Sequence, residues 1–486
     1  MRLQVACLLI ALPLGWPASA QIPPLTPPMS PRSSENDNGR HTVDMLPDTP
    51  AGKAAADWLA AFNSGDRDKI EAMRMRYHLK TPADNLLQAF RQRGGWDVLR
   101  IESSDPGKLT LLLSARDTDL FGRQTFQVDP NNPTDHLDVD GRGISPPNGF
   151  LPKRLSQQAA LLALSARAET LHTSDRFSGG LLISKANKVI FEKTWGMANR
   201  EAGEPIKPET KFRIGSMNKM FTAVAILKLA SQGKISLDDT MGKYLSDYPN
   251  KEMAQATVRQ LLDHTAGAGD IFGVKFDAHR TELKTHADYI ALYGNRAPAH
   301  APGAADGYDN YGFILLAAII ERITGQSYYD YVRDHVFRPA GMKDTGSLPE
   351  DTHVQGLAPG YMWSSDGWIS NSDTLPYRGT AAGGGYSTLA DLLKFAQALG
   401  LGKLLPASML AQATTPQNHN RWYGLGFMVY PDDPAPSYGH EGGAPGMNAD
   451  LRIFPAQHTI VVCLSNLDPI SADTLTNFYA LRMPIR

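Results

Sequence analysis

The chain has 486 residues, with 48 Lys plus Arg against 50 Asp plus Glu, a formal net charge of −2. Hydrophobic residues make up 42% and charged residues 20%, an ordinary globular composition that excludes collagen, coiled coil and wholesale disorder. The balanced charge sets aside nucleic acid as a partner, which needs a basic excess or patch, and two cysteines, Cys7 and Cys463, support neither a disulfide framework nor a cysteine-ligated zinc site.

Residues 1–20 read as a signal peptide. Arg2 gives a positive start, an apolar run follows from Val5 to Leu14, and Ala18-Ser19-Ala20 precedes Gln21 as a cleavage site. The run is too short to span a bilayer. The expectation is therefore an exported protein, periplasmic or secreted, with no stable membrane insertion once the signal is removed. Residues 21–50 hold seven prolines among polar residues and predict an extended linker.

From Ala51 the pattern turns helical, with Ala54, Trp58, Leu59 and Phe62 on one face. Asn63-Ser64-Gly65-Asp66 ends that helix and caps the next. A third helix is expected from Pro82 to Gln92, stopped by Gly94-Gly95. Three apolar stretches, Trp96–Ile101, Leu109–Leu113 and Gln124–Val128, then predict an antiparallel meander. Residues 51–145 thus read as a small α+β accessory domain whose helix–strand order resembles the cystatin-like cone of nuclear-transport-factor-two-like proteins. Pro146-Pro147-Asn148-Gly149 marks the joint.

Residues 150–486 read as one large domain. A helix is expected over 154–171, then strands Gly179–Ser184 and Lys188–Thr194, a long apolar helix over 216–231, and a largely helical middle. Strands return at Asp450–Phe454 and Thr459–Ser465, before a last helix over 471–482. Strands from both ends of the segment predict one antiparallel sheet flanked by helices, with a mostly helical insert: an α+β fold.

Ser216-Met217-Asn218-Lys219 opens the apolar helix. Residues i and i+3 share a face, so Lys219 reaches the Ser216 hydroxyl. A buried lysine loses its charge readily and can take the hydroxyl proton. The bland alternative is a simple N-cap with a solvated lysine. A second Ser-x-x-Lys, Ser231 to Lys234, closes the same helix at Gly233 and has the wrong context. Tyr308-Asp309-Asn310 precedes the apolar run Phe313–Ile320. Beside Lys219 the Tyr308 pKa is expected to fall, so that its phenolate serves as a base. Asn310 can accept from Lys219 and donate to a substrate carbonyl. His440-Glu441-Gly442-Gly443 leads into a strand. Glycines there let a ligand approach the backbone, and an inward N–H pairs with that of Ser216 as an oxyanion hole. Thirteen histidines contain no His-x-His and no His-Glu-x-x-His, so neither a metal nor a cofactor is expected.

Six motifs in order carry a resemblance over residues 155–470: Gly215–Lys219, Leu261-Leu262-Asp263-His264-Thr265-Ala266-Gly267, Pro302-Gly303 with Tyr308–Gly312, Pro339–Met342, Gly383–Thr388 and His440–Gly446. Together they resemble the serine hydrolase family of class C β-lactamases, D-aminopeptidases, D,D-carboxypeptidases and β-lactamase-like esterases. The resemblance implies Ser216 as acylated nucleophile, Lys219 and Tyr308 as the base pair, and Asn310 as an orienting residue. His440, Gly442 and Gly443 would line the substrate, with Gly443 giving the second oxyanion N–H. Relatives that handle β-lactams carry Lys-Thr-Gly or Lys-Ser-Gly where this chain has His440, which is more like the esterase and aminopeptidase branches. The implied substrate is a small ester, an amide or a peptidoglycan-derived peptide. The alternative is a catalytically weak protein that binds wall peptide or penicillin.

Overall fold

A computed structural model describes residues 33–35, 41–43, 45–147, 149–364 and 366–485. The expected signal peptide, residues 1–20, lies outside the described residues. The chain divides between Lys153 and Arg154 into two compact units, a few residues beyond the expected joint.

The first unit carries a feature that the proline content obscured. Within the segment expected to be a linker, β1 (Ser33–Glu35) pairs antiparallel with β2 (His41–Val43). Thr42 and Val43 are β-branched and favour extended backbone, and Val43 packs against the core of this unit. Three helices follow: α1 (Pro50–Ser64), α2 (Arg67–Arg76) and α3 (Ala83–Arg93). Gly65 closes α1 in the left-handed region, and the Asp66 side chain accepts from the amides of Asp68 and Lys69 to open α2. Then come β3 (Trp96–Asp105), β4 (Lys108–Ala115), β5 (Phe121–Gln127) and β6 (Asp138–Ile144), an antiparallel meander in chain order. Trp58 stacks on Phe62 at 4.8 Å and meets Phe126 edge-on at 5.5 Å, fixing α1 over the sheet.

The second unit is a six-stranded antiparallel sheet between two helical layers. It begins with α4 (Gln157–Thr173), β7 (Gly179–Lys185) and β8 (Lys188–Trp195). A largely helical stretch includes α5 (Asn218–Ser231) and α6 (Tyr311–Thr324). The chain then returns as β9 (Met428–Tyr430), β10 (Ser437–Ala444), β11 (Met447–Phe454), β12 (Thr459–Ser465) and α7 (Ser471–Arg482). The strand order is β9-β10-β11-β12-β7-β8. Strands from the two ends of the unit meet where β12 pairs with β7, Cys463 opposite Leu181. Strand alternation divides the core. Leu181, Ile183, Val461 and Cys463 pack with α4 and α7. Leu182, Val462, Leu451 and Leu464 pack with α5 and the helical insert. Every residue of α5 from Asn218 to Leu227 is buried, which explains why its sequence shows no polar stripe. Among the described residues no helix is long and apolar enough to cross a membrane.

Candidate active site

The helix expected from Ser216 begins two residues later. Gly215–Met217 form a 3₁₀ turn, with Gly215 at φ +50°, and the α-helix proper starts at Asn218. The tighter turn places residues i and i+3 more nearly one above the other. Lys219 Nζ lies 3.3 Å from Ser216 Oγ. Three side chains of the first turns of α5 hold one neighbouring backbone strand. Asn218 donates to Thr380 O (2.9 Å), Thr222 to Ala381 O (2.8 Å) and Lys219 to Ala382 O (2.7 Å). The glycines that follow let this strand run against the serine: the Gly384 amide donates to Gly215 O, and Ile214 N donates to Gly385 O.

Lys219 is fully buried. Burial drives its pKa down to about 7 against the smaller opposing pull of Asp270 and Asp309. Its amine also donates to Asn310 Oδ1 at 2.6 Å and sits 4.6 Å from the Tyr308 ring centroid. A neutral amine has two N–H groups and one lone pair. Asn310 Oδ1 and Ala382 O take the two N–H groups, so the lone pair is left for Ser216.

Tyr308 corrects the sequence expectation. Burial raises its pKa above that of a free phenol, and its hydrogen bond to Ser216 offsets this only in part. The acidic side chains of Asp270, Asp309 and Glu441 push it in the same direction as burial. Tyr308 is a proton-bearing hydroxyl bonded to Ser216, and the Lys219 amine, its pKa lowered to about 7, lies within reach of the same oxygen.

Asn310 behaves as expected toward Lys219, but one of its N–H groups donates to Asp270 Oδ1 at 2.8 Å. Asp270 also accepts from the amides of Ile271 and Phe272. His264, at φ +64°, braces the Tyr308 loop. Its Nδ1 accepts from Asp309 N (3.2 Å), and its backbone carbonyl accepts from Gly307 N (2.9 Å). Asp309, for which the sequence offered no role, accepts from Gly312 N at the start of α6. Burial lifts its pKa to about 7.

His440 is the second correction. It is 2% exposed, and burial pushes its pKa well below the usual imidazole value. Nδ1 donates to the Glu441 carbonyl, which fixes the tautomer, and Nε2 accepts from Tyr423 OH at 2.7 Å. Both ring nitrogens are thus committed within the protein, so His440 supports the wall of the site. The strand that carries it is also not a sheet edge throughout. The short β9 pairs β10 only through Gly439, leaving residues 440–444 unpaired on that side, where they face the serine turn.

Gly442 and Gly443 lie beside that turn. A Cβ on Gly442 would stand 1.9 Å from Ile214 O and 3.1 Å from Ser216 N, and one on Gly215 would stand 2.9 Å from Gly443 N. The Ser216 and Gly443 amides therefore belong to backbones in closest approach. Gly442→Ala is expected to lower turnover more than about tenfold and destabilise the fold by about 1–3 kcal/mol, because backbone cannot yield as a side chain can. Steady-state kinetics and thermal melting check this. An alanine variant with unchanged turnover would contradict the close approach.

Asp270, Trp422 and Tyr423 were not singled out in the sequence, and His264 entered only as part of the Leu261–Gly267 motif, with no role assigned. Trp422 and Tyr423 form an aromatic wall with His264, whose ring is 4.3 Å from Tyr423 and 4.4 Å from Tyr308. The signals available were the buried-looking Asp263-His264 ahead of a glycine turn and an aromatic pair before Gly424.

Comparison with known proteins agrees with this architecture. The Beta-lactamase family model matches residues 164–482, well over half of the chain. The chain belongs to the Beta-lactamase family. Penicillin-binding protein 4 of Amycolatopsis lactamdurans is 26% identical over 330 residues, 62% of this chain and 84% of that relative. A penicillin-binding protein from Bacillus halodurans superposes with a TM-score of 0.60 at 31% identity, covering 65% of this chain and 99% of that one. A D-stereospecific amidohydrolase from Streptomyces sp. does so with a TM-score of 0.55 at 26% identity, covering 66% and 97%. The Beta-lactamase family assignment makes the second unit a serine-hydrolase fold. It leaves residues before 164 unmatched.

Proposed function

We propose that this chain is an exported serine hydrolase that opens an ester or amide through an acyl-enzyme on Ser216. The observation that carries the reading is the buried Lys219 amine, 3.3 Å from Ser216 Oγ and bonded to Asn310 Oδ1 and Ala382 O, so that in its neutral form both N–H groups are committed and the lone pair is left for the serine. Ser216 Oγ attacks the carbonyl carbon as its proton passes to Lys219 Nζ. The oxyanion takes the Ser216 and Gly443 amides. Tyr308 OH relays the proton to the leaving oxygen or nitrogen, and water then hydrolyses the acyl-serine by the reverse path. Asn310 holds Lys219 and keeps one N–H for the substrate. Residues 51–145 act as an accessory domain.

A small uncharged ester or a D-amino-acid amide suits this site better than a β-lactam. A β-lactam carries a carboxylate near its scissile amide, and a charged hydrogen bond to such a group contributes about 1.5–3 kcal/mol, roughly 10–150-fold. Neutral His440, bonded to Tyr423 and to the Glu441 carbonyl, supplies no such charge. A hydrolysis screen of the purified protein with p-nitrophenyl acetate, D-amino-acid anilides and nitrocefin tests this, together with a fluorophosphonate label mapped to its residue. The expected result is a label on Ser216 and nitrocefin turnover at least about tenfold below that of the ester. Labelling elsewhere, or faster turnover of nitrocefin, would overturn the reading. Rapid penicillin acylation with almost no release would favour the penicillin-binding alternative.

A further inference from the structure

Gly442 O and Gly443 N belong to one peptide unit, and that unit is planar, so whatever holds the carbonyl aims the N–H. A Gly–Gly peptide has the least intrinsic preference for any orientation. The carbonyl is held from behind by Asn448 of β11, which is 1% exposed and stands opposite Gly443 in the sheet register. Asn448 Nδ2 donates to Gly442 O at 3.2 Å and to the Asp473 carboxylate at 3.1 and 3.3 Å. Its Oδ1 accepts from Ala472 N at 2.6 Å and Asp473 N at 3.4 Å, in the first turn of α7. The amide orientation follows from its backbone partners: turned over, its oxygen would face the Gly442 carbonyl, and its NH₂ would face two amide N–H groups.

We propose that Asn448 is a positioning residue for the oxyanion, locking the Gly442–Gly443 peptide to the start of α7 so that the Gly443 N–H points at the charge developing beside Ser216. A hydrogen bond to the carbonyl of a peptide also polarises its N–H, making Gly443 the stronger donor. The inference rests on the acyl-enzyme reading above. Its effect belongs to the transition state, because the substrate carbonyl in the ground state is held less tightly than the oxyanion.

The test compares Asn448→Ala and Asn448→Ser with Thr476→Val in the full chain. The serine is small enough to fit the strand, but its hydroxyl is too short to bridge Gly442 O and Ala472 N. Thr476 is buried in α7 and donates to Ala472 O, so its valine variant perturbs the helix without touching the peptide. Both Asn448 variants are expected to lower kcat on p-nitrophenyl acetate by about 10–100-fold with KM within about threefold. They should lose affinity for phenylboronic acid, which forms a tetrahedral adduct on the serine, by a similar factor. Thr476→Val should shift the melting temperature and leave kcat and boronate affinity in place. If a folded Asn448 variant keeps kcat and boronate affinity, or loses no more than Thr476→Val at a comparable melting temperature, Asn448 is merely structural and the inference falls. Ser216→Ala run alongside separates the two claims: an active Ser216→Ala overturns the hydrolase reading itself, whereas an inert one beside fully active Asn448 variants overturns this inference alone.

Discussion

Ser216→Ala is expected to lower turnover of p-nitrophenyl acetate by about 10⁴–10⁶-fold, while circular dichroism and melting temperature stay close to those of the parent. The loss is large because the serine is the proposed point of covalent attachment. Lys219, Tyr308 and the two amides have nothing to act on without it. Little structural cost is expected: Ser216 is only partly buried, and the fold is held by Met217, Met220 and Phe221 next to it. Ser231→Ala supplies the control. That serine ends α5 with its hydroxyl on Lys228 O at 2.8 Å, and Lys234 lies beyond Gly233 at φ +70°. Its variant should turn over like the parent. The fluorophosphonate label should vanish in the first variant and persist in the second. Normal turnover by Ser216→Ala would remove the nucleophile assignment outright.

The contrast between those two serines shows how far local pattern carries. Both satisfy Ser-x-x-Lys. Position on an apolar helix separates them in the sequence, and the structure adds that only Ser216 has its lysine buried. The strands β7, β8, β11 and β12 were legible because each alternates or runs apolar between turns. By contrast, β6 was missed: Asp138-Val139-Asp140-Gly141-Arg142-Gly143-Ile144 has two glycines and a largely exposed face, so no hydrophobic period marks it. The pairing of β1 with β2 was hidden by flanking prolines. The site failed to show through in a different way. Asp270 meets Asn310, and Tyr423 meets His440, across long separations in the chain, and spacing does not encode such contacts. The Tyr308 pKa went the wrong way for a related reason. A motif names the neighbours of a group but not how much water the fold removes from them, and burial outweighs the hydrogen bond from Ser216.

That balance of burial and charge sets the last expected result. The kcat/KM of the parent should fall about tenfold per pH unit below about pH 7, because Lys219 titrates there and protonation occupies the lone pair that takes the serine proton. Above pH 7 the amine is free and the rate levels off, since Tyr308 keeps its proton to well beyond that range. Lys219→Ala should cost about 10²–10⁴-fold and abolish this acid limb. Tyr308→Phe should cost a comparable factor and keep the limb, and the double variant should be little worse than either single, because both groups serve one proton transfer. Asp309 offers a sharper check. Its charge favours protonated Lys219, and burial makes Asp309 itself titrate near pH 7, so the two ionise as a coupled pair. Asp309→Asn removes the negative charge, and the acid limb should move to lower pH. A profile flat from pH 5 to about 8, or a limb that moves upward in Asp309→Asn, would show that Lys219 is not the base.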